Sequence, residues 1–163
     1  MKTLLLMRHA KSSWADPGVE DHDRVLNARG LRAAPLMGER LLAAGYVPDR
    51  ILVSTAARAR QTANLVAAAL DCGDRIDVSR QLYLAEADDI LKRVRQTPPD
   101  VKTLLVVGHN PGMEELASYL AGSLQPFPTA AVAVFRQAGK DWSAFGDDKR
   151  PALVATLRPK DGD

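Results

Sequence analysis

Cysteine is nearly absent from this sequence, which contains one, Cys72, in the polar stretch LDCGDR. A lone cysteine excludes an intramolecular disulfide and any zinc site built from several cysteines. Proteins of the reducing cytoplasm typically lack disulfides, so the cysteine count favours a cytoplasmic protein. Cys72 itself is interpreted as an incidental loop thiol.

Long apolar runs, a strong net charge and aromatic residues are also scarce. No run approaches the roughly 20 apolar residues that span a bilayer, and the first residues lack the pattern of a secretory signal peptide. The formal net charge is +2, and aromatic residues make up 5% of the chain without a basic stripe between them. We therefore predict neither nucleic acid nor a membrane as a partner.

What remains is the composition of an ordinary globular protein, with 46% hydrophobic and 26% charged residues. A chain of 163 residues is long enough to bury a substantial core in one domain. No internal repeat, low-complexity segment or interdomain linker interrupts the sequence. We therefore predict a single domain over residues 1–158, followed by a flexible tail over residues 159–163.

Short apolar runs alternate with longer amphipathic stretches along most of the chain. Six of the short runs are predicted to be strands, at residues 3–7, 50–54, 75–79, 103–108, 130–135 and 152–157. Strands separated by helices predict an α/β domain with three layers around a mostly parallel central sheet of about six strands. Only a polar stretch separates the last two strands, which we expect to pair as an antiparallel hairpin.

Four helices are predicted between the strands. The second has a regular apolar face, formed by Ala59, Ala63, Val66, Ala67 and Leu70. The first has a comparable stripe, formed by Leu31, Ala34, Leu41 and Leu42. Pro35 interrupts that stripe, which predicts a kinked helix or one that starts late. The other two helices are predicted at residues 87–96 and 112–122, the last ending at Gly122.

Unusual polar side chains follow three of the predicted strands. Arg8 and His9 come directly after the first strand, Arg58 lies in the helical turn after the second, and His109 follows the fourth. Because ligands of open α/β sheets bind beyond the carboxyl ends of the strands, we expect these four side chains to lie close together. Guanidinium groups donate paired hydrogen bonds to phosphate oxygens, and imidazole supplies a further donor or a nucleophile. The group therefore suits a tetrahedral dianion.

Two of these turns also carry signals for the start of a helix. Ser54 or Thr55 is predicted to cap the helix that contains Arg58. Asn110 is predicted to cap the helix after the fourth strand, with Pro111 at its first position. A helix N-terminus favours negative charge, so both helices would add to an anion site.

The polar motifs resemble those of a known family. LLLMRHAKSSW, at residues 4–14, resembles the signature of the histidine phosphatase superfamily, in which an Arg-His pair follows the first strand. STAARARQTA and VVGHNPGMEEL are similar to the second arginine motif and the second histidine motif, in the same order. RHAKSSW, DHDRVLNARGLRAAPLMGERL and VGHNPG further resemble the SixA branch, the phosphohistidine phosphatases. The similarity covers nearly the whole chain and implies a phosphoglycerate mutase-like fold.

This resemblance implies a hydrolase, a phosphatase that uses no metal and no cofactor and forms a phosphohistidine intermediate. His9 is the implied nucleophile, Arg8 and Arg58 bind the phosphoryl oxygens, and His109 donates to them. Covalent catalysis splits one difficult displacement into two easier ones, and preplaced cations stabilise the charge on the equatorial oxygens. The implied substrate is phosphohistidine in a phosphorylated protein.

The chain departs from larger members of the family, which carry a long insertion that roofs the pocket and supplies an acid for the leaving group. Between Thr62 and His109 there is room for little more than a helix, a strand and another helix. An open pocket suits a phosphoryl group displayed on another macromolecule. Glu86 is the first candidate acid by position, followed by Asp88, although both also fit a solvent-facing helix start.

Several alternatives stay open at the level of sequence. The first alternative is a phosphatase of small phosphorylated metabolites or nucleotides. The second is a non-catalytic module that binds phosphorylated partners.

The roles of two groups of charged residues also stay open. Asp16, Asp21 and Asp23 lie close to His22 in the sequence, and we predict a solvated loop there and not a metal site. Four cations either form a basic rim for an acidic partner or lie on solvated faces: Lys11, Arg24, Arg29 and Arg32.

Overall fold

The computed structural model describes residues 1–159, so most of the predicted tail lies outside the described residues. The strands of this part are β1 Lys2–Arg8, β2 Arg50–Ser54, β3 Ile76–Ser79, β4 Thr103–Gly108, β5 Val132–Gln137 and β6 Ala152–Leu157. They form one sheet in the order β3-β2-β4-β1-β5-β6. The pairs among β1 to β4 are parallel, whereas β5 pairs antiparallel with β1 and with β6. The predicted α/β class, the mostly parallel sheet and the final hairpin are confirmed.

Helices cover both faces of the sheet. They are α1 Ala28–Ala43, α2 Ala57–Ala69, α3 Ala87–Arg95 and α4 Gly112–Ala121. Leu5 and Met7 of β1 pack with α1 and α2, whereas Leu4 and Leu6 pack with α3 and α4. This alternation explains why β1 is apolar at successive positions, since side chains of a strand point to opposite faces and both faces are covered. The three-layer prediction is confirmed.

Helix α1 differs from its prediction in where it begins. The late start is wrong, because the helix begins at Ala28 and continues through Pro35. The Asn27 side chain accepts a hydrogen bond from the Gly30 amide at 2.9 Å and caps the first turn. Local capping chemistry therefore sets the start of the helix, upstream of the proline.

The predicted apolar stripe of α1 is confirmed at Ala34 and Leu41 and wrong at Leu31 and Leu42. Leu31 and Leu42 are 48% and 51% exposed, and the buried positions are Gly30, Ala34, Met37, Gly38 and Leu41. A Cβ atom on Gly38 would lie 2.7 Å from the Cβ atom of Ala69 in α2. The glycines thus allow close packing of α1 along the face that also buries Met37 and Leu41, and two leucines stay outside.

The predicted caps of α2 and α4 need correction. Neither Ser54 nor Thr55 caps α2, whose N-cap is Ala56, without a side-chain cap. The Ser54 and Thr55 hydroxyls bind imidazoles instead. Helix α4 begins at Gly112 with Pro111 at the N-cap position, one residue after the predicted cap Asn110, although the Asn110 side-chain oxygen does accept from the Glu114 amide at 3.2 Å.

Cys72 is more deeply buried than its interpretation as an incidental loop thiol suggested. Its side chain is fully buried in the layer formed by α1 and α2, although its sequence neighbours are polar.

Within residues 1–159, no helix is long and apolar enough to cross a membrane.

Candidate functional site

The carboxyl ends of three neighbouring strands bring the predicted polar residues together. Strand β4 lies between β1 and β2, and Val107 pairs with both Met7 and Val53, so the three strands end at the same level. The next residues therefore enter one space at the sheet edge. Together with the first turn of α2, they line a cavity of about 230 Å³.

The geometry of this cavity centres on His9, Arg58 and His109. The ring centroids of the two histidines are 5.2 Å apart. Arg58 lies between them, with its Nε 3.4 Å from His9 Nε2 and its Nη2 3.3 Å from His109 Nδ1. All three side chains are more than nine-tenths buried, at 7%, 2% and 2% exposure. The sequence prediction that these residues meet is thus matched by their placement.

The ring of His9 is held in one orientation. Its Nδ1 lies 2.7 Å from the Ala10 carbonyl oxygen, which only accepts, so Nδ1 carries the proton and Nε2 keeps its lone pair. Burial lowers the pKa of His9 to about 4, and the charges of Arg58 and Arg8 act in the same direction. His9 is therefore neutral at physiological pH, with an unprotonated nitrogen facing the cavity.

The ring of His109 is also held in one orientation. Its Nε2 lies 2.8 Å from the Ser54 hydroxyl, and its Nδ1 faces the Arg58 guanidinium, which only donates. Nδ1 is therefore the acceptor, and Nε2–H donates to Ser54. Burial, followed by the charges of His9 and Arg58, lowers the pKa of His109 to about 3.

Arg8 enters the cavity with a donor that no protein group uses. Its Nη1 donates to the Phe127 carbonyl at 3.2 Å, whereas its buried Nε has no hydrogen-bond partner within residues 1–159. Burial lowers the pKa of Arg8, and the nearby Glu114 opposes that effect. An unsatisfied buried donor is costly, so this nitrogen suits an oxygen of a bound ligand.

Asp21 is the main site residue that the sequence did not reveal. Its carbonyl oxygen accepts from Arg58 Nη1 at 2.7 Å, and its Oδ2 accepts from Arg58 Nη2 at 3.1 Å and from the Tyr83 hydroxyl at 2.5 Å. These contacts orient the guanidinium. The Tyr83 hydroxyl, followed by Arg58 and Arg24, lowers the pKa of Asp21 to about 2. The segment is solvated as predicted, since the Asp21 side chain is 42% exposed, but the sequence did not reveal these contacts.

Arg24 is the second missed residue. It is buried, donates from Nη1 to the Ser12 hydroxyl at 2.6 Å, and donates from Nε and Nη2 to Asp21 at 3.2 Å. Its guanidinium carbon lies 3.6 Å from the ring centroid of Trp14, which is 76% exposed at the mouth of the cavity. The solvated helix face is therefore wrong for Arg24, which lines the cavity of His9, whereas the basic rim stays a prediction. The only sequence signal for a role of Arg24 in the site was that it lies in the stretch that resembles the SixA branch.

Glu86 lies outside the cavity of His9. Its exposed side chain lines an adjoining cavity of about 360 Å³ together with Asp88 and Glu115, and the two cavities meet at Leu84. Its role as an acid stays a prediction. Among the residues that the structure describes, no three His, Cys, Asp or Glu side chains are grouped so as to hold a metal ion.

The low pKa values of the two histidines make stability depend on pH. In the folded protein, His9 and His109 take up protons only at about pH 4 and about pH 3, whereas the ordinary histidine pKa is 6.5. From about pH 6.5 down to about pH 4, the unfolded chain therefore binds more protons than the folded one. The free energy of unfolding should fall over this range by about 1.4 kcal/mol per pH unit for each histidine.

Urea unfolding between pH 7.5 and 4.5 measures this dependence. The variant His9→Ala should lose one of the two contributions, so its slope should be smaller than that of the wild type by about 1.4 kcal/mol per pH unit. Asp21, with a pKa of about 2, loses its stabilising charge only below this window. Equal slopes for the two proteins would contradict the low pKa of His9.

Comparisons with known proteins find related sequences. A family model described as the histidine phosphatase superfamily (branch 1) matches residues 4–89. An uncharacterized protein of Mycobacterium tuberculosis is 40% identical over 93% of this chain and 96% of its own length. An uncharacterized chloroplastic protein of Arabidopsis thaliana is 33% identical over 94% of this chain and 78% of its own.

Solved structures show the same fold. The candidate phosphohistidine phosphatase SixA from Agrobacterium tumefaciens is 33% identical, with a TM-score of 0.84 over 97% of this chain and 98% of that one. The protein histidine phosphatase SixA complexed with tungstate is 23% identical, with a TM-score of 0.81 over 96% and 97%. At that identity the second match concerns the fold alone.

Proposed function

Because this chain belongs to the histidine phosphatase superfamily (branch 1), we propose that it dephosphorylates phosphohistidine in proteins through a phosphoryl intermediate on His9. The observation that carries the proposal is the orientation of His9. Its protonated Nδ1 is tied to the Ala10 carbonyl, and its Nε2 lone pair, which accepts a 3.4 Å hydrogen bond from Arg58 Nε, becomes the nucleophile once a phosphoryl oxygen takes that donor. A neutral imidazole between arginines is poised to attack phosphorus.

The reaction proceeds in two displacements. His9 Nε2 forms a bond to phosphorus while the bond from phosphorus to the substrate imidazole breaks, and that imidazole leaves with a proton taken from solvent, which the second step returns. Water then attacks the phosphoryl group on His9, which releases inorganic phosphate and returns His9 to its starting form. Both steps place the same nitrogen and the same phosphoryl oxygens in the cavity.

Three groups stabilise those oxygens. The first is the free Nε–H of Arg8, and the second is the Nε–H of Arg58, which is directed at His9 before the substrate binds. A bound dianion also favours protonation of His109, whose Nδ1 then exchanges its contact with Arg58 Nη2 for a donation to a phosphoryl oxygen. Preplaced charges of this kind cost no reorganisation when negative charge accumulates in the transition state.

Asp21 acts on Arg58 and not on the substrate. It holds the guanidinium through its carbonyl and its carboxylate. With a pKa of about 2, its carboxyl is ionised at neutral pH and cannot supply a proton to a leaving group. We therefore assign Asp21 as a positioning residue.

The absence of an acid favours a nitrogen leaving group. Among the described residues that line the cavity, none is a carboxylic acid. An alkyl phosphate releases an alkoxide unless an acid protonates it, and general acid catalysis supplies about 10² to 10⁴-fold in rate. The imidazole of phosphohistidine can take its proton from water, so it depends less on such an acid.

The test compares phosphohistidine and phosphoserine in the same peptide. We expect kcat/KM to be higher for phosphohistidine by at least about 10²-fold. Glu86→Gln should slow alkyl phosphate hydrolysis more than phosphohistidine hydrolysis if Glu86 is the acid. Glu115→Gln, on the wall of the same adjoining cavity, is the matched control. Comparable kcat/KM values for the two peptides would instead favour a phosphatase of small metabolites or nucleotides.

A further inference from the structure

A second cavity, of about 440 Å³, adjoins the cavity of His9. The two share Lys11 and Thr129 in their walls. Besides Lys11, the second cavity presents the cationic side chains of Arg29 and Arg158, against a lining that includes Ala33 and two prolines. A group attached to a phosphoryl substrate could therefore extend directly into this cavity.

Backbone packing fixes the positions of two of these cations. The first turn of α1 lies against the loop after β1, where the Asn27 amide donates to the Lys11 carbonyl at 3.0 Å. A Cβ atom on Gly30 would lie 2.2 Å from the same carbonyl oxygen, so only glycine permits this approach. Arg29 and Lys11 are thus brought close by a backbone contact between a capped helix and the loop that carries His9.

The charges of these two side chains are not compensated. Within residues 1–159, neither the Lys11 ammonium nor the Arg29 guanidinium has a hydrogen bond or an ion pair, whereas Arg24 and Arg58 share Asp21. The first turn of α1 contains no acidic residue, so the positive end of the helix dipole adds to the same field. The nearby Arg158 donates to the Pro126 carbonyl at 3.3 Å. This cavity therefore favours an anionic occupant.

The other neighbour of the His9 cavity has the opposite charge. It joins the His9 cavity at Leu84 and is lined by Glu86, Asp88 and Glu115, and it shares no lining residue with the basic cavity. Binding space thus extends from the phosphoryl site in more than one direction, with cations along one extension and carboxylates along the other. A polypeptide that runs past the phosphoryl site can use both, whereas a small phosphorylated metabolite cannot.

We propose that the cavity formed by Lys11 and Arg29 binds an acidic side chain, aspartate or glutamate, near the phosphohistidine of the protein substrate. This inference rests on the proposed phosphohistidine phosphatase function and adds a determinant of which phosphoproteins are used. Carboxylates accept charge-assisted hydrogen bonds from both cations. The carboxylates around Glu86 repel an acidic side chain from the other adjoining cavity. The enzyme should therefore prefer an acidic residue on only one side of the phosphohistidine in the substrate chain.

The experiment uses phosphohistidine peptides that differ only in one glutamate or glutamine, scanned over positions on both sides of the phosphohistidine. Wild-type enzyme should prefer glutamate at one register by about tenfold in kcat/KM. Arg29→Glu should reverse that preference. Arg32→Glu changes the net charge equally at an exposed position of the same helix and should keep it. Hydrolysis of p-nitrophenyl phosphate, which carries no acidic side chain, reports on the phosphoryl cavity alone.

Three other outcomes would overturn the proposal, and each has a different meaning. Equal rates for glutamate and glutamine peptides at every register, or equal effects of the two variants, would refute the acidic subsite and leave the phosphohistidine activity intact. A loss of activity toward 3-phosphoglycerate in Arg29→Glu, with every peptide unaffected, would assign the cavity to a small substrate. Turnover of p-nitrophenyl phosphate without hydrolysis of any phosphohistidine peptide would refute the proposed function and this inference together.

Discussion

The variant His9→Ala should lose at least about 10⁴-fold in kcat on both p-nitrophenyl phosphate and phosphohistidine peptides, because it removes the atom that attacks phosphorus. The fold should persist, since the ring makes only two hydrogen bonds, one to the Ala10 carbonyl and a longer one from Arg58 Nε, and lies at the rim of the core. Loss of one such bond costs about 1 kcal/mol. Urea unfolding at pH 7.5 checks that the variant is folded.

Trapping the intermediate separates this role from a merely structural one. Wild-type enzyme, quenched in alkaline denaturant during turnover, should carry a phosphoryl group on His9, and the variant should carry none. His22→Ala is the matched control, because His22 contacts Thr55 and Tyr83 and does not line the cavity. Residual activity of His9→Ala above a few per cent of the wild type would rule out His9 as the nucleophile.

Arg58→Ala is expected to lower kcat/KM by about 10³-fold, since the guanidinium serves both the bound phosphoryl group and the transition state. Orthovanadate, which resembles the five-coordinate transition state, should inhibit the wild type well below about 1 mM and bind the variant far more weakly. Arg58→Lys should restore activity only in part. An ammonium cannot keep both contacts to Asp21 and also donate beside His9.

A neighbouring arginine provides the control for Arg58. Arg60 lies on the same helix, is exposed, and donates to the Thr55 carbonyl at 2.9 Å. Arg60→Ala should therefore keep nearly full activity with the same change in net charge. Vanadate binding by Arg58→Ala as tight as that of the wild type would show that Arg58 is not part of the phosphoryl clamp.

The sequence alone determined the layered α/β architecture and the meeting of the principal polar residues. The apolar run from Leu4 to Met7 is continuous because both faces of β1 are covered, and such runs are visible without coordinates. Parallel strands end at one edge of the sheet, so His9 and His109 could be placed together from their positions after two strands. Both inferences depend only on local periodicity and on a general rule of sheet topology.

Only the tertiary structure decided which side chains support that centre. Asp21 and Arg24 follow no strand and share no helix face with Arg58, and their roles arise because a short turn packs against α2. The burial of Cys72 and the position of Glu86 in a separate cavity were likewise set by the packing of distant segments. A repeating pattern shows which face of a strand or helix is buried, because that face is set by local backbone geometry. The partner of a loop side chain depends on which other segment folds against it, and that information is distributed over the whole chain.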